Sequence, residues 1–287
     1  MYYVMMDFEW NTAYAYKRSG FINEIIEIGA VVFEYDNGIR IIDRYSEFIK
    51  PKVTKKLTGR VKELTHISNT DLKTGKSFAE AIFELTSMVG RNDYTVMTWG
   101  TTDITTLLDN CRYFMGLESI PFLKNYMDAQ SFCQKKLDIP GNNQISLSAA
   151  AEKAGIDISE FSAHRAYEDS MVAALCLEKC FDAEEIAKRT SVCDDAFYRK
   201  ITFKKYKITD VNDPNVHLDS IKAFCPDCNK EMRCTTKWRL KFGGTFYSVY
   251  KCPVCGKTYN VNVTYTRYAD KVTMKQRQTP TAPKKEA

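Results

Sequence analysis

The sequence predicts an α/β domain, with a mixed sheet flanked by helices, followed by a small cysteine-bearing module. Segments with strand-like and helix-like apolar spacing alternate through the first 190 residues, which is typical of an α/β domain. Two Cys-x-x-Cys pairs stand near the C-terminal end, and the net charge changes sign between the two parts. A chain of 287 residues is long enough for one substantial core and a small second unit.

Three consecutive strands are expected to open the domain. Tyr2–Met6 is a short apolar run, and Ile25–Phe33 is rich in Ile and Val. Ile39–Ile49 follows the turn sequence Asp36-Asn37-Gly38, so residues 25–49 are predicted to form a hairpin.

Helices and strands then alternate. An apolar stripe with helical spacing predicts the first long helix, and its members are Phe78, Ala81, Ile82, Leu85 and Val89. The further predicted elements are a strand at Tyr94–Trp99, a helix with an apolar face from Ile104 to Met115, a strand at Tyr126–Asp128, and helices at about 146–154 and 165–181. The order predicts a mixed sheet with helices on its faces.

The remaining sequence divides into shorter parts. We expect the α/β domain to occupy residues 1–190 and a linker to occupy residues 191–221, where polar, turn-rich sequence dominates. The cysteine-bearing module takes residues 222–267, and the basic tail at residues 268–287 lacks apolar periodicity, which predicts disorder.

Hydropathy and the distribution of charge indicate the expected compartment and binding partners. No apolar run approaches the roughly 20 residues that span a bilayer, and the N-terminus lacks the features of a signal peptide, so we expect a cytoplasmic protein without a membrane partner. Residues 222–287 carry 14 Lys and Arg against four Asp and Glu. A basic end-piece interleaved with aromatic residues favours contact with single-stranded RNA or DNA, although a solvated basic tail is the alternative.

Acidic residues form the candidate catalytic set. Asp7 and Glu9 are two residues apart on a strand, so their side chains point to the same face. A divalent cation would offset their repulsion and desolvation, whereas two solvated carboxylates are the alternative. Asp169 lies on an otherwise apolar helix stripe with His164 five residues earlier, and Asp103 opens a helix. Each of these residues also has a separate explanation. Asp169 could form an ion pair with a Lys or Arg, His164 could be a surface histidine, and Asp103 could cap its helix.

Three segments together resemble the motifs of the DEDDh exonuclease family, within the ribonuclease-H-like superfamily. The first is Asp7-Phe8-Glu9, and the second is Asp103, early in the helix after the fourth strand. The third is His164-Arg165-Ala166-Tyr167-Glu168-Asp169, of the form H-x-A-x-x-D, and Asn23–Ala30 is similar to the family's second strand. The resemblance covers roughly residues 1–185.

The resemblance implies a 3′→5′ exonuclease that releases nucleoside 5′-monophosphates from single-stranded nucleic acid, with RNA slightly preferred over DNA. It implies two Mg²⁺ or Mn²⁺ ions held by the four carboxylates, and His164 as general base. It also places the terminal nucleotide beside Trp10, Leu64 and Thr65, although Leu64 in the core and Trp10 as a scaffold aromatic remain the alternative. His66, where relatives more often carry Gly, receives no role. A regulator that keeps the fold and binds nucleic acid or protein without cleavage is the alternative function.

The cysteine module has the spacing C-x₂-C-x₂₃-C-x₂-C, formed by Cys225, Cys228, Cys252 and Cys255. Paired knuckles of this kind predict a zinc ribbon with a structural Zn²⁺, whereas a redox Cys-x-x-Cys is the alternative. Cys234 lies outside the spacing and is expected to be unligated. The aromatic and basic residues between the knuckles favour a grip on nucleic acid over the docking of a protein.

Overall fold

The chain forms two compact units, Met1–Ile201 and Thr202–Ala287. The computed structural model describes residues 1–89, 93–139 and 144–281. Within these residues, none of the helices combines the length and apolar character needed to span a bilayer.

The first unit is built on a six-stranded mixed sheet. Its strands are β1 (Tyr2–Ala15), β2 (Gly20–Tyr35), β3 (Ile39–Phe48), β4 (Tyr94–Thr98), β5 (Asn125–Asp128) and β6 (Ser191–Val192). The strand order is β3-β2-β1-β4-β5-β6. β1 runs antiparallel to β2 and parallel to β4, and β5 continues the parallel part. The predicted β2–β3 hairpin is confirmed, with Asn37 in its turn at a φ of 56°.

Eight α-helices accompany this sheet in the described residues. They are α1 (Gly59–Thr65), α2 (Phe78–Val89), α3 (Thr102–Asn110), α4 (Ala129–Lys136), α5 (Leu147–Lys153), α6 (Ala166–Glu178), α7 (Ala183–Arg189) and α8 (Asp195–Thr202). The helix predicted up to Met115 leaves the α-helical form after Asn110 and ends in a π-helical turn, Cys111–Met115.

Alternation along β1 separates two cores, one on each face of the sheet. Val4 and Met6 pack with α2 and α3, whereas Tyr3 and Met5 pack with α4, α5 and α6. Because both faces are covered by helices, the middle of β1 is apolar on both sides.

β1 is longer than predicted and continues six residues beyond Glu9. Its pairing with β4 ends at Met6, opposite Thr98, while its pairing with β2 continues to Ala15. Beyond the apolar run Tyr2–Met6, backbone hydrogen bonds to β2 keep the chain in the strand conformation. Asp7 is therefore the first residue of β1 beyond the end of β4.

The second unit is a smaller antiparallel sheet. Its strands are β7 (Tyr206–Lys207), β8 (Arg233–Cys234), β9 (Arg239–Lys241), β10 (Thr245–Lys251), β11 (Thr258–Arg267) and β12 (Val272–Pro280). The order is β12-β11-β10-β8, with β7 also paired to β11 and β9 to β10. One face of the sheet packs on the segment before β8, and Phe246, Tyr250 and Val263 lie in this core.

The predicted linker and tail are corrected by the structure. Phe197 and Tyr198 of the expected linker are buried in the first unit, and Ile208 and Leu218 are buried in the second. The expected disordered tail contains β12, which pairs with β11 along its whole length. Its sequence lacks apolar periodicity because it is an edge strand whose stability comes from these backbone hydrogen bonds. Residues 282–287 of that tail lie outside the described residues.

Candidate active site

The acidic residues meet at a crevice where β1 and β4 separate. Asp7 and Glu9 extend from β1, Asp103 lies in the first turn of α3, and Asp169 lies in the first turn of α6. In α/β folds, the crevice beyond the carboxyl ends of parallel strands is the usual place for a ligand. The fold thus collects carboxylates from three elements that are far apart in sequence.

A cleft of about 500 Å³ lies over these carboxylates. Its lining includes all five predicted catalytic residues, which are Asp7, Glu9, Asp103, His164 and Asp169. The three predicted nucleotide-contacting residues, Trp10, Leu64 and Thr65, also line it. The structure therefore places every predicted site residue of the first unit around one cavity.

Asp103 is not a helix cap. Thr101 occupies the cap position of α3, and no side chain there caps the helix. Asp103 is only 5% exposed, and its Oδ1 atom has no hydrogen-bond partner among the described residues. A buried carboxylate oxygen without a partner is costly. A bound cation would remove that cost.

Asp169 and His164 are joined through the backbone. The amide N–H of His164 donates to Oδ2 of Asp169 at 3.1 Å, and His164 has a φ of 62° in the left-handed region. Asp169 forms no ion pair with a Lys or Arg among the described residues, so the alternative predicted for it does not hold. The imidazole of His164 is exposed, which suits a group that exchanges protons with solvent or substrate.

The four carboxyl groups have raised pKa values. Burial, followed by repulsion from Asp103, Asp169 and Glu9, holds the pKa of Asp7 well above its usual range. Burial raises the pKa of Glu9 to about 8, with Asp169 as the next cause. Burial also raises the pKa of Asp103 to about 7, against the opposing effect of the Phe8 backbone amide. The pKa of Asp169 is raised as well, again chiefly by burial.

Such a cluster fits hard divalent cations. Ligand atoms of Glu9, His164 and Asp169 lie within 4.8 Å of one another. Carboxylate oxygens are the ligands that Mg²⁺ and Mn²⁺ prefer. A cation would favour the ionised form of each carboxylate, which the protein alone disfavours through burial and repulsion. The donor set and the unpartnered oxygen of Asp103 therefore both match a metal site.

Glu27 is a buried residue of this site that the sequence analysis did not assign. It is 1% exposed and lies opposite Glu9 in the β1–β2 register. The guanidinium of Arg165 donates to it at 2.8 and 3.1 Å, and the backbone N–H of Ala166 donates at 3.2 Å. Glu27 thus fixes the start of α6, two residues after His164. A charged residue inside the apolar run Ile25–Phe33 was the available indication.

The close approach of β2 and α6 depends on Gly29. A Cβ atom at this position would lie 2.1 Å from the backbone carbon of Ala166 and the backbone nitrogen of Tyr167. Any side chain at Gly29 would therefore push α6, and Asp169 with it, away from β1.

The predicted nucleotide-contacting residues differ in exposure. Leu64 is 44% exposed and is not a core residue, whereas Thr65 is 1% exposed and its hydroxyl donates to the backbone oxygen of Val61 at 2.8 Å. Trp10 is half-buried against the core. Arg60, which the sequence analysis did not single out, also lines the cleft. The cleft wall therefore combines apolar surface with one guanidinium group.

His66 has a conformational explanation. It terminates α1 in the left-handed region, with a φ of 58°. Glycine adopts this conformation without cost, whereas a histidine there is conformationally less favourable.

In the second unit, the four predicted cysteines converge. The Sγ atoms of Cys225 and Cys255 are 3.6 Å apart, and those of Cys228 and Cys252 are 3.4 Å apart. All four form a group able to hold a metal ion. Cys234 is outside this group and exposed. Four clustered thiol groups match a tetrahedral metal site.

The two Cys-x-x-Cys turns, at Cys225–Cys228 and Cys252–Cys255, have the same pattern of backbone hydrogen bonds. The N–H of Asn229 donates to the Cys225 oxygen, and the N–H of Gly256 donates to the Cys252 oxygen. Asn229 and Gly256 both have positive φ values, of 48° and 72°. The backbone N–H groups of Cys255 and Val254 lower the pKa of the Cys252 thiol to about 6, whereas its hydrogen bond with Cys228 raises the pKa of the Cys228 thiol to about 12. Within this pair, the thiolate that a metal requires is therefore favoured at Cys252.

The sheet order and the helices on both faces define a ribonuclease-H-like α/β fold, with the carboxylates at the end of β1. Residues 4–177, more than half of the chain, match the family model described as RNase_T, Exonuclease. The chain belongs to this exonuclease family and is a hydrolytic 3′→5′ exonuclease.

The chain is similar to known proteins in sequence and in fold. The chain is 29% identical over 172 residues to the probable 3′-5′ exonuclease KapD of Bacillus subtilis (strain 168), covering 59% of this chain and 80% of the relative. The nuclease domain of 3′hExo, a DEDDh family member, superposes with a TM-score of 0.54 at 20% identity, covering 62% of this chain and 90% of that domain. The cell-death related nuclease 4 has a TM-score of 0.52 at 16% identity, covering 62% of each chain.

Proposed function

We propose that the protein is a two-metal-ion exonuclease that removes nucleoside 5′-monophosphates from the 3′ end of single-stranded nucleic acid, RNA ahead of DNA. The observation that carries the proposal is the convergence of Asp7, Glu9, Asp103 and Asp169 on one cleft, with a buried oxygen of Asp103 left without a partner. Two divalent ions held there would neutralise charge on the phosphoryl group and orient the attacking water.

The residues divide the work by position. Asp7 is central, because the charges of the other three carboxylates all act on it, so it would be a main ligand of the metal. Glu9 and Asp169 stand beside His164 and hold the side of the cleft where water attacks. His164 would remove a proton from that water, since a ring nitrogen of its exposed imidazole can accept one.

The cleft wall positions the terminal nucleotide. Leu64 and Trp10 offer apolar surface for the base and sugar, and the guanidinium of Arg60, which lines the same cleft, would pair with a phosphate. The preference for RNA draws on the neighbours of similar fold, one solved with rAMP and another that recognises a histone mRNA stem-loop. In the second unit, Cys225, Cys228, Cys252 and Cys255 are proposed to hold a structural Zn²⁺.

Incubation of 5′-labelled RNA and DNA ladders with and without Mn²⁺ tests the proposal. The wild type should shorten the strands from the 3′ end and release 5′-monophosphates, identified by mass spectrometry, with faster cleavage of RNA. Asp7→Asn should abolish cleavage, whereas Asp43→Asn, an exposed aspartate of β3, is the matched control that keeps it. No metal-dependent cleavage of any strand would favour a protein that binds nucleic acid without cutting it.

A further inference from the structure

One face of the sheet in the second unit faces solvent. Along β10 and β11, buried residues alternate with partly exposed ones, and the buried set includes Phe246, Val261 and Val263. The opposite face is here called the open face. Its central residues are Lys207, Lys241, Thr245, Asn262, Thr264, Thr266, Lys275, Arg277 and Thr279, which line a groove of about 600 Å³ together with Phe242.

The edge strand β12 is oriented by two glutamines. The side-chain amide of Gln276 donates to the backbone oxygen of Lys222 at 2.9 Å, and that of Gln278 donates to Phe224 at 2.8 Å. These contacts turn Gln276 and Gln278 toward the body of the unit. Because side chains alternate along a strand, Lys275 and Arg277 point into the groove.

The open face carries positive charge without compensation. Four of its residues are cations, and the five strands β7, β9, β10, β11 and β12 contain no Asp or Glu. Within the described residues, none of Lys207, Lys241, Lys275 and Arg277 forms an ion pair. The Nζ atom of Lys241 instead donates to Oδ1 of Asn262 at 3.1 Å and lies 4.3 Å from the ring centroid of Tyr247.

The floor of the groove is polar. Hydroxyl groups of Thr245 and Thr264 are 3.0 Å apart, and Asn262 adds an amide. Hydroxyl, amide and cationic groups are the usual partners of phosphate and sugar oxygens. Protein-docking surfaces usually have an apolar, fully buried centre, which this floor lacks. The ring of Phe242 projects fully into solvent at the groove's end, where a base can stack on it.

We propose that the open face binds the sugar-phosphate backbone of a single-stranded nucleic acid, with Lys207, Lys241, Lys275 and Arg277 on phosphates. This inference rests on the proposed function for the kind of partner, and it extends the protein's contacts beyond the terminal nucleotide. It also gives β12 a role, since this strand supplies two of the four cations.

Binding of fluorescent 15-nucleotide oligo(U) and oligo(dT) to the full chain, measured by anisotropy without added Mg²⁺ or Mn²⁺, tests the proposal. Each phosphate contact to a single strand adds about 0.7 to the slope of log affinity against log salt. Lys275→Ala/Arg277→Ala should reduce the slope by about 1.4 and weaken binding about 25-fold at 0.1 M salt. Lys222→Ala/Lys230→Ala removes the same charge outside these strands and is the matched control.

A second variant, Lys207→Ala/Lys241→Ala, changes the other side of the groove. It should reduce the affinity and the salt slope by comparable amounts, and it replaces the first variant if that one loses its bound metal or its fold. Equal losses in the control and either test variant would overturn the proposal, because only net charge would then matter. A larger loss for polyglutamate than for the oligonucleotides would assign the groove to an acidic protein instead. Cleavage of the same strands by the wild type with Mn²⁺ tests the proposed function separately.

Discussion

Replacing Asp103 by asparagine tests the electrostatic account of the cleft. Burial raises the pKa of this carboxyl group from 3.8 to about 7. The folded state therefore binds the Asp103 proton more tightly than the unfolded state between these two values. Stability must fall as the pH rises through that window, and the loss is complete above pH 7.

The size of the effect follows from the two pKa values. With about 1.36 kcal/mol per pKa unit, keeping Asp103 in its buried site costs roughly 2 kcal/mol at pH 5 and roughly 4 kcal/mol at pH 8. The neutral asparagine side chain would carry no such charge, so the stability of Asp103→Asn relative to wild type should rise by roughly 2–3 kcal/mol between these pH values.

Urea unfolding at pH 5 and pH 8, without added divalent ions, measures this difference. Asp43→Asn on the exposed side of β3 is the matched control and should show little change with pH. Adding Mn²⁺ at 100 times its dissociation constant should stabilise the wild type by about 2.7 kcal/mol and the Asp103→Asn variant by less. An Asp103→Asn variant whose relative stability is unchanged or lower at pH 8 would refute the reasoning.

Three further outcomes are expected. Gly29→Ala should lower the free energy of unfolding in urea by about 1–3 kcal/mol and reduce kcat, because the new methyl group overlaps the Ala166 backbone. An unchanged kcat would show that activity does not require α6 to lie so close to β2. Glu27→Gln should lower the free energy of unfolding by about 1–3 kcal/mol, since the charged partner of Arg165 is lost. Steady-state kinetics should show a larger effect on kcat than on KM. Cys252→Ser should remove bound zinc and the calorimetric transition of the second unit, since such sites fold with their metal; retention of both would exclude a structural metal there.

Local patterns were sufficient for the main strands, for the long helices and for the cysteine cluster. Apolar alternation and helical spacing depend on neighbours close in sequence, so segments such as Ile25–Phe33 and Phe78–Val89 could be recognised directly. The spacing of Cys225, Cys228, Cys252 and Cys255 was also enough to predict that they converge, because paired Cys-x-x-Cys turns are typical of a shared metal site. The composition of the carboxylate set came from the motif resemblance, and the cleft contains the same residues.

The tertiary structure decided what depends on distant partners. β12 has no apolar periodicity and is a strand because β11 supplies its hydrogen bonds, and β1 passes Glu9 because β2 does the same. Glu27 could be linked to the site only when β2 was seen against α6. The burial of Asp103, and with it the electrostatic need for a cation, also arises only from packing. A sequence specifies local conformation through near neighbours, whereas burial, register and charge proximity are set when distant segments meet.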